Sequence, residues 1–230
     1  MFEFPIRAAI IDLDGTMLDT VPDFHIAINR MRAGFGLAAI GQDQIALMVG
    51  KGSENLIRRV LGLDFEPAVV DRHFDAAMDA YQRHYLDING NHSALYPGVI
   101  EGLEAMKLAG LRLACVTNKP IAFATPLLAL KGLAGYFDVV YGGDSLARKK
   151  PDPMPLLQVC VDFGLAPRQV VAIGDSSNDA EAARAAGCFV LTVPYGYNHG
   201  RAIQETDSDG IVTSLLEAST LISSHNNSAN

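Results

Sequence analysis

The sequence predicts an α/β protein whose core is a doubly wound parallel sheet, with an all-helical segment inserted near the N-terminus. Two patterns predict this architecture. Short apolar runs alternate with helical stretches from residue 97 to residue 193, which is typical of a parallel sheet covered by helices. Residues 22–86, in contrast, contain helical patterns alone. A helical block placed between the first strand and all later strands indicates a separate small domain.

The first predicted strand, residues 8–11, is a short apolar run with β-branched residues. Such a run is typical of a strand buried on both faces of a sheet. It is followed at once by Asp12, Asp14, Gly15 and Thr16. Ligands of open α/β sheets bind at the carboxyl ends of the strands, so two carboxylates here are candidate site residues. Their mutual repulsion favours a bound cation. The alternative is a simple turn, because Asp and Gly both favour turns.

Four helices are predicted in the inserted block. Their expected limits are residues 22–33, 42–49, 54–61 and 67–86. Ser53 is the expected N-cap of the third helix, because a serine hydroxyl can bond the free N–H groups of a first turn. We therefore predict two parts, an inserted helical domain at residues 19–91 and a catalytic α/β core at residues 1–18 and 92–230.

The rest of the core alternates between helices and strands. The expected strands are residues 111–116, 137–141, 170–173 and 189–193. The expected helices are residues 99–109, 122–130, 153–163, 180–186 and 215–222. The polar residues 223–230 are expected to fray.

Polar side chains follow two later strands as well as the first. Thr117 and Asn118 end one strand, and Asp175 and Asp179 follow another. Lys150 lies between them in the chain, directly before Pro151. Carboxylates with one fixed lysine suit a phosphoryl group bound to Mg²⁺, because hard oxygen ligands hold the metal and the lysine neutralises the remaining oxygens.

Four of these stretches resemble the ordered motifs of the haloacid dehalogenase superfamily. They are DLDGT at 12–16, VTN at 116–118, KPDP at 150–153 and GDSSND at 174–179. The superfamily combines a Rossmann-like core with a cap inserted between its first and second motifs, and residues 19–91 stand where a helical cap is expected. The flanking stretches MVGKG, LYPGV and YGYNHG resemble those of bacterial phosphoglycolate phosphatases.

The resemblance implies a magnesium-dependent phosphomonoester hydrolase that works through an aspartyl-phosphate. Asp12 would be the nucleophile, and Asp14 would be the general acid and base. Mg²⁺ would be held by Asp12, by the backbone carbonyl of Asp14 and by Asp175, with Asp179 supporting this set. The structural alternatives are a helix N-cap for Asp175 and a first-turn acid for Asp179.

The resemblance also implies the groups that hold the phosphoryl oxygens, namely Thr117, the N–H of Asn118 and Lys150. Specificity is expected to come from the cap. Lys51 is the only lysine of residues 19–91 and stands just before a predicted helix, where an anion is favoured. We therefore expect Lys51 to meet the carboxylate of the substrate. The alternative is a solvated lysine on a flexible turn.

The expected substrate is 2-phosphoglycolate, which hydrolysis converts to glycolate and phosphate. Related enzymes of the same architecture act on sugar phosphates or pyrophosphate, and the core motifs do not separate these activities. A non-catalytic binding protein of the same fold is a further alternative, since a fold alone does not establish activity. Such a protein is expected to lack at least one of Asp12, Asp14, Lys150 and Asp175, whereas all four are present.

Composition restricts the partners and the location. The chain has a formal net charge of −8 and no basic run typical of nucleic-acid binding. It has no apolar stretch of about 18 residues, the length of a membrane span, and no signal-peptide pattern, so we expect a cytoplasmic protein. Cys115, Cys160 and Cys188 lie in apolar segments and are expected to be buried thiols. For the oligomeric state, the sequence is compatible with both a monomer and a homodimer.

Overall fold

The computed structural model describes residues 4–228. Within those residues, most strands join one parallel sheet, and two short strands form an antiparallel pair. The strands are β1 (Ala8–Ile11), β2 (Leu18–Asp19), β3 (Ala94–Leu95), β4 (Arg112–Val116), β5 (Val139–Tyr141), β6 (Val170–Gly174), β7 (Phe189–Thr192) and β8 (Gly210–Ile211). The parallel sheet has the order β5-β4-β1-β6-β7-β8. The predicted doubly wound fold is therefore confirmed.

Helices cover both faces of the sheet and fill the inserted segment. They are α1 (Val21–Gly34), α2 (Gln42–Ala46), α3 (Ser53–Leu61), α4 (Pro67–Ile88), α5 (Val99–Leu108), α6 (Ile121–Leu130), α7 (Met154–Phe163), α8 (Ser177–Ala186) and α9 (Leu215–Ser228). Helices α1 to α4 all lie between β2 and β3 in the chain. This is the inserted helical block that the sequence predicts.

Strand β1 is the centre of the sheet, because it pairs with β4 on one side and with β6 on the other. Its four residues are buried and alternate between the two faces. Ala9 and Ile11 join the apolar cluster that contains residues of α5, α6 and α9. Ala8 and Ile10 join the cluster that contains residues of α7 and α8. Burial on both faces explains why β1 has apolar residues without polar alternation.

The helical segment has an apolar cluster of its own. That cluster is formed mainly by residues of α1, α3 and α4, and it also includes Phe123 and Tyr197 from the core. Strands β2 and β3 lie at the two ends of the segment and pair through Leu18 with Leu95 and Asp19 with Ala94. We propose this pair as the joint between the cap at residues 19–91 and the core at residues 1–18 and 92–230.

Several local predictions were wrong. Ser53 is the first residue of α3, and Gly52 with φ +85° is its N-cap, a backbone conformation that glycine adopts readily. Strands β2, β3 and β8 were not predicted, since two residues are too few to show a periodic pattern. Helix α9 continues to Ser228 instead of fraying after residue 222.

The extension of α9 has a physical cause at Asn226. Its Nδ2 donates to the carbonyl of Ile6 at 2.8 Å, and its Oδ1 accepts the N–H of Ile6 at 2.8 Å. This amide therefore ties the last helix to the chain just before β1. The predicted fraying of residues 229–230 lies outside the described residues. No helix in the described range is both long and apolar enough to cross a membrane.

Gly102 of α5 provides a test of the packing between α5 and α9. A Cβ at position 102 would lie 2.4 Å from the carbonyl carbon of Leu215, whereas a Cβ at Gly34, at the end of α1, would have no such neighbour within 4 Å. We expect Gly102→Ala to lower the free energy of unfolding by about 1–3 kcal/mol, because backbone must move. Gly34→Ala, the matched control, should not lower it. Urea denaturation of both variants checks this, and equal effects would contradict the described contact.

Candidate active site

Lys150 is the buried cation at the centre of the site. Its Nζ lies 3.0 Å from Oδ1 of Asp12 and 2.6 Å from Oδ1 of Asp179. It also donates to the carbonyl of Val116 at 2.7 Å. Burial lowers the pKa of Lys150, but the charges of Asp12 and Asp179 outweigh burial and raise it above the usual lysine value. The ammonium group is therefore charged at neutral pH.

Asp175 is fixed by the turn that follows β1. Thr16 Oγ1 donates to Asp175 Oδ1 at 3.1 Å, and the N–H of Tyr197 donates to Oδ2. Gly15 has φ +84°, and a Cβ there would lie 2.2 Å from Asp175 Oδ2. Only glycine permits this close approach. Gly15 and Thr16 of the first motif thus position a carboxylate from the end of β6.

The structure brings the acids of the first and last motifs together. Oxygen atoms of Asp12, Asp175 and Asp179 lie within 4.8 Å of one another. Burial raises the pKa of Asp12 to about 7, although Lys150 opposes that shift. Burial also raises the pKa of Asp175 well above its usual value, and the charges of Asp179 and Asp12 raise it further. This cluster of hard oxygen atoms could hold a divalent metal ion.

Asp179 has two partners that limit its freedom. Its Oδ1 accepts a hydrogen bond from Nζ of Lys150, and its Oδ2 accepts one from the hydroxyl of Ser176 at 2.7 Å. Ser176 is the N-cap residue of α8. The alternative that Asp175 is only a helix N-cap is therefore wrong. Asp179 lies in the first turn of α8, where the alternative of a first-turn acid placed it. It therefore combines a helix-terminal position with a contact to the catalytic lysine candidate.

Asp14 has an ion-pair partner that the sequence analysis missed. Lys119 Nζ lies 3.0 Å from Asp14 Oδ1 and 3.3 Å from Oδ2. The same Nζ donates to the hydroxyl of Tyr85 of the cap at 2.6 Å. The sequence did contain a signal, because Lys119 stands two residues after Thr117 at the end of β4. Tyr85 has no such signal in the sequence, because it stands among the apolar residues on one face of α4.

Asn118 connects the core to the cap. Its Nδ2 donates to the carbonyl of Lys150 at 2.8 Å and to that of Gly50 in the cap at 3.0 Å. Thr117 precedes it and accepts the N–H of Lys119 at its hydroxyl. Both Thr117 and Asn118 line the same cavity as Asp12. The predicted phosphate-binding residues are therefore placed next to the predicted nucleophile.

A small cavity lies between the core acids and the cap. Its volume is about 30 Å³. The core lines one side with polar groups, and the cap lines the other with aromatic and aliphatic side chains. The lining residues from the cap are Phe24, Val49, Gly50, Gly52, Ser53, Leu56, Tyr81 and Tyr85. A ligand that occupies this cavity is thus enclosed by both parts of the chain.

Lys51 is not brought to this cavity. Its side chain is exposed and lines an outer groove together with Arg58, Arg59 and Lys149. The neighbouring residues Gly50 and Gly52 do line the cavity. The backbone of the Gly50–Gly52 turn therefore faces the site, while the lysine on which the sequence analysis relied points away from it.

The charges around the cavity do not cancel. The carboxylates are Asp12, Asp14, Asp175 and Asp179, and the ammonium groups are Lys119 and Lys150. With all six groups ionised, four negative and two positive charges leave a formal charge of −2. A divalent cation would neutralise this remainder, and buried charges require such compensation. The donor set and the charge of the site both fit a divalent metal.

The comparisons with known proteins agree with the described geometry. The sequence profile of the haloacid dehalogenase-like hydrolase family matches residues 9–193. The chain belongs to this family. Similar proteins of the haloacid dehalogenase-like group include the phosphoglycolate phosphatases of Nitrosospira multiformis, with 49% identity, and Thiobacillus denitrificans, with 45% identity. Each alignment covers 96% of this chain and 97% of the relative.

Solved structures show the same fold over most of the chain. A predicted phosphoglycolate phosphatase from Haemophilus somnus superimposes with a TM-score of 0.90 at 32% identity. The match covers 95% of this chain and 99% of that one. The family resemblance drawn from the four motifs is therefore confirmed, and it extends through the cap.

The raised pKa values of Asp12 and Asp175 predict how the metal-free protein responds to pH. A folded state that holds these carboxyls protonated at higher pH than the unfolded chain binds more protons, so stability rises as pH falls through about 7. We expect the midpoint of thermal unfolding, measured in a chelator, to rise from pH 8 to pH 6. Asp175→Asn should reduce this rise, whereas Asp75→Asn on the exposed surface of the cap should not. An unchanged slope in Asp175→Asn would contradict the assignment.

Proposed function

We propose that this protein is a magnesium-dependent phosphomonoesterase that hydrolyses 2-phosphoglycolate to glycolate and phosphate. The observation that carries the proposal is the cavity lined by Asp12, Asp14 and Thr117, with the buried ammonium group of Lys150 3.0 Å from Asp12. The similar proteins named phosphoglycolate phosphatase support the choice of substrate.

The proposed reaction has two steps at phosphorus. In the first, a carboxylate oxygen of Asp12 attacks the phosphorus atom, and the bond from phosphorus to the glycolate oxygen breaks. Asp14 gives its proton to the departing alkoxide. In the second, Asp14 takes a proton from water, which attacks the aspartyl-phosphate and releases phosphate. The carboxyl group of Asp14 returns to its starting state for the next cycle.

Side chains around Asp12 hold the phosphoryl group for this reaction. Lys150 lies 3.0 Å from Asp12, so a phosphoryl oxygen beside the nucleophile is also beside an ammonium group. Thr117 and the backbone N–H of Asn118 are proposed to bind the other oxygens. Fixed donors of this kind stabilise charge that develops on the transferred group.

The metal proposal rests on the acidic cluster and its charge. Asp12, the backbone carbonyl of Asp14 and Asp175 would hold Mg²⁺, and Asp179 would support them through Lys150 and Ser176. When bound, Mg²⁺ supplies a positive charge that offsets repulsion between the nucleophilic carboxylate and the phosphoryl oxygens. Hard oxygen donors are the ligands that this ion prefers.

The size of the cavity does not rank the candidate substrates. Its volume of about 30 Å³ has room for water-sized groups only, so the choice of 2-phosphoglycolate rests on the similar proteins. Lys51 lies outside the cavity, so covalent chemistry through that cap lysine, as in a carbon–phosphorus hydrolase, has no support from this geometry. All residues that the proposed hydrolysis needs are present, which distinguishes the chain from a non-catalytic protein of the same fold.

A substrate panel tests the proposed function. With Mg²⁺, we expect kcat/KM for 2-phosphoglycolate to exceed that for ribose 5-phosphate, a nucleotide and pyrophosphate by at least about 100-fold, or about 3 kcal/mol of transition-state binding. Asp12→Asn, which lacks the nucleophile, is the blank, and chelation of Mg²⁺ should abolish turnover. A sugar phosphate or pyrophosphate as the preferred substrate would overturn the proposed substrate, and turnover by Asp12→Asn would overturn the mechanism.

A further inference from the structure

Lys119 is a buried lysine that the proposed phosphoryl transfer does not use. Its side chain is 2% exposed. Its Nζ lies 4.5 Å from the centre of the Phe24 ring and 4.8 Å from that of Tyr85. A buried ammonium group is costly unless it is paired, and Lys119 is not needed to hold phosphate, since Lys150 is beside the nucleophile. Asp14 supplies that pairing, and Lys119, which also lines the cavity, is placed to meet the anionic part of a ligand there.

The ammonium group has donor capacity beyond its protein partners. It carries three N–H donors, and its partners in the structure are the carboxylate of Asp14 and the hydroxyl of Tyr85. The ammonium group contacts both oxygens of the Asp14 carboxylate, at 3.0 and 3.3 Å, and one N–H can serve both oxygens. A second N–H then serves Tyr85, and the third is available to a ligand in the cavity. Burial raises the pKa of Tyr85 and the charge of Asp14 raises it further, so that hydroxyl keeps its proton and can also donate to an anion.

The position of Lys119 relative to Asp14 matches one part of the proposed substrate. Asp14 must reach the oxygen that leaves phosphorus, because it gives that oxygen a proton. In 2-phosphoglycolate a single methylene group separates this oxygen from the carboxylate carbon. A group 3.0 Å from Asp14 Oδ1 is therefore within reach of the carboxylate of a substrate whose leaving oxygen contacts Asp14.

Other basic groups are less suitable for this task. Among residues 4–228, Lys119 is the only lysine, arginine or histidine that lines the cavity. Lys51 and Lys149 line the outer groove. Phe24 lies beside Lys119, and Leu56 and Phe123 line the same cavity. Apolar surroundings of this kind strengthen an ion pair by lowering the local dielectric constant.

We infer that Lys119 binds the carboxylate of the leaving group, assisted by the hydroxyl of Tyr85. It thereby selects alkyl phosphates with a carboxylate on the carbon that bears the leaving oxygen. This inference rests on the proposed function. It replaces Lys51 with a core residue as the determinant of specificity. The cap contributes Tyr85 and the apolar wall of the cavity, so closure of the cap over the core completes the carboxylate site.

The test compares 2-phosphoglycolate with ethyl phosphate, which has an alkoxide leaving group and no carboxylate. Both substrates need a proton from Asp14, but only the first needs an anion site. We expect Lys119→Met to lower kcat/KM for 2-phosphoglycolate by at least about 100-fold. The loss for ethyl phosphate, which has no carboxylate, should be at least about tenfold smaller. Lys107→Met, on the exposed surface of α5, removes the same charge and should change neither value.

The outcomes separate the inference from the proposed function. A wild-type protein without preference for 2-phosphoglycolate over ethyl phosphate would overturn both. A wild-type preference that Lys119→Met retains would overturn the inference alone, and so would an equal loss for both substrates, which would show that Lys119 acts only through Asp14. The inference would also be overturned if Lys51→Met, and not Lys119→Met, lost the preference for 2-phosphoglycolate over ethyl phosphate.

A second variant covers the case in which Lys119→Met does not fold. Lys119→Gln keeps a hydrogen-bond donor near Asp14 and Tyr85 but lacks the charge. Its thermal unfolding should be cooperative, and its ratio of kcat/KM between the two substrates should fall as in Lys119→Met. A wild-type ratio in folded Lys119→Gln would overturn the inference.

Discussion

The buried contact of Lys150 with Asp12 and Asp179 is the interaction on which the rest of the site depends. It joins the end of β1, the first turn of α8 and the segment before α7 at one ammonium group. Without that charge, buried carboxylates would repel one another with little solvent to screen them. Lys150 also donates to the end of β4 through the carbonyl of Val116. One side chain thus holds together the ends of β1 and β4 and the start of α8.

Two carboxylates only two residues apart have different surroundings, and this difference can assign their roles. Asp12 lies beside Lys150 and the acidic cluster, whereas Asp14 lies beside Lys119 and the cap. The two carboxylates therefore have separate partners, which is consistent with the separate proposed roles of nucleophile and proton carrier. The partner of Asp14 also contacts Tyr85 of the cap, so closure of the cap and the surroundings of the proton donor are coupled. Substrate selection and proton transfer then depend on the same closed state.

The sequence predicted the parts of this structure that depend on local pattern. Apolar β1 followed by two acids indicated a strand buried on both faces and the sheet edge at which Asp12 lies, but its central place in the sheet became known only from the structure. Contacts between distant segments were less accessible. Lys119 and Tyr85 meet only because α4 folds over the end of β4, and neither periodicity nor composition records that contact. Lys51 was favoured because it is the cap's only lysine, yet the direction of its side chain depends on the turn at Gly50 and Gly52. Short strands such as β8 have too few residues to leave a pattern.

The most direct test of the proposed chemistry is to locate the phosphoryl group on the protein. Asp14→Asn should slow attack of water on the intermediate, while p-nitrophenyl phosphate, whose leaving group needs no proton, should still transfer its phosphoryl group. Mass spectrometry of this variant after a short reaction with p-nitrophenyl phosphate and Mg²⁺ is expected to find phosphate on Asp12. Asp12→Asn combined with Asp14→Asn should carry none. Phosphate on another residue, or turnover without any phosphorylated protein, would contradict the assignment of Asp12 as the nucleophile.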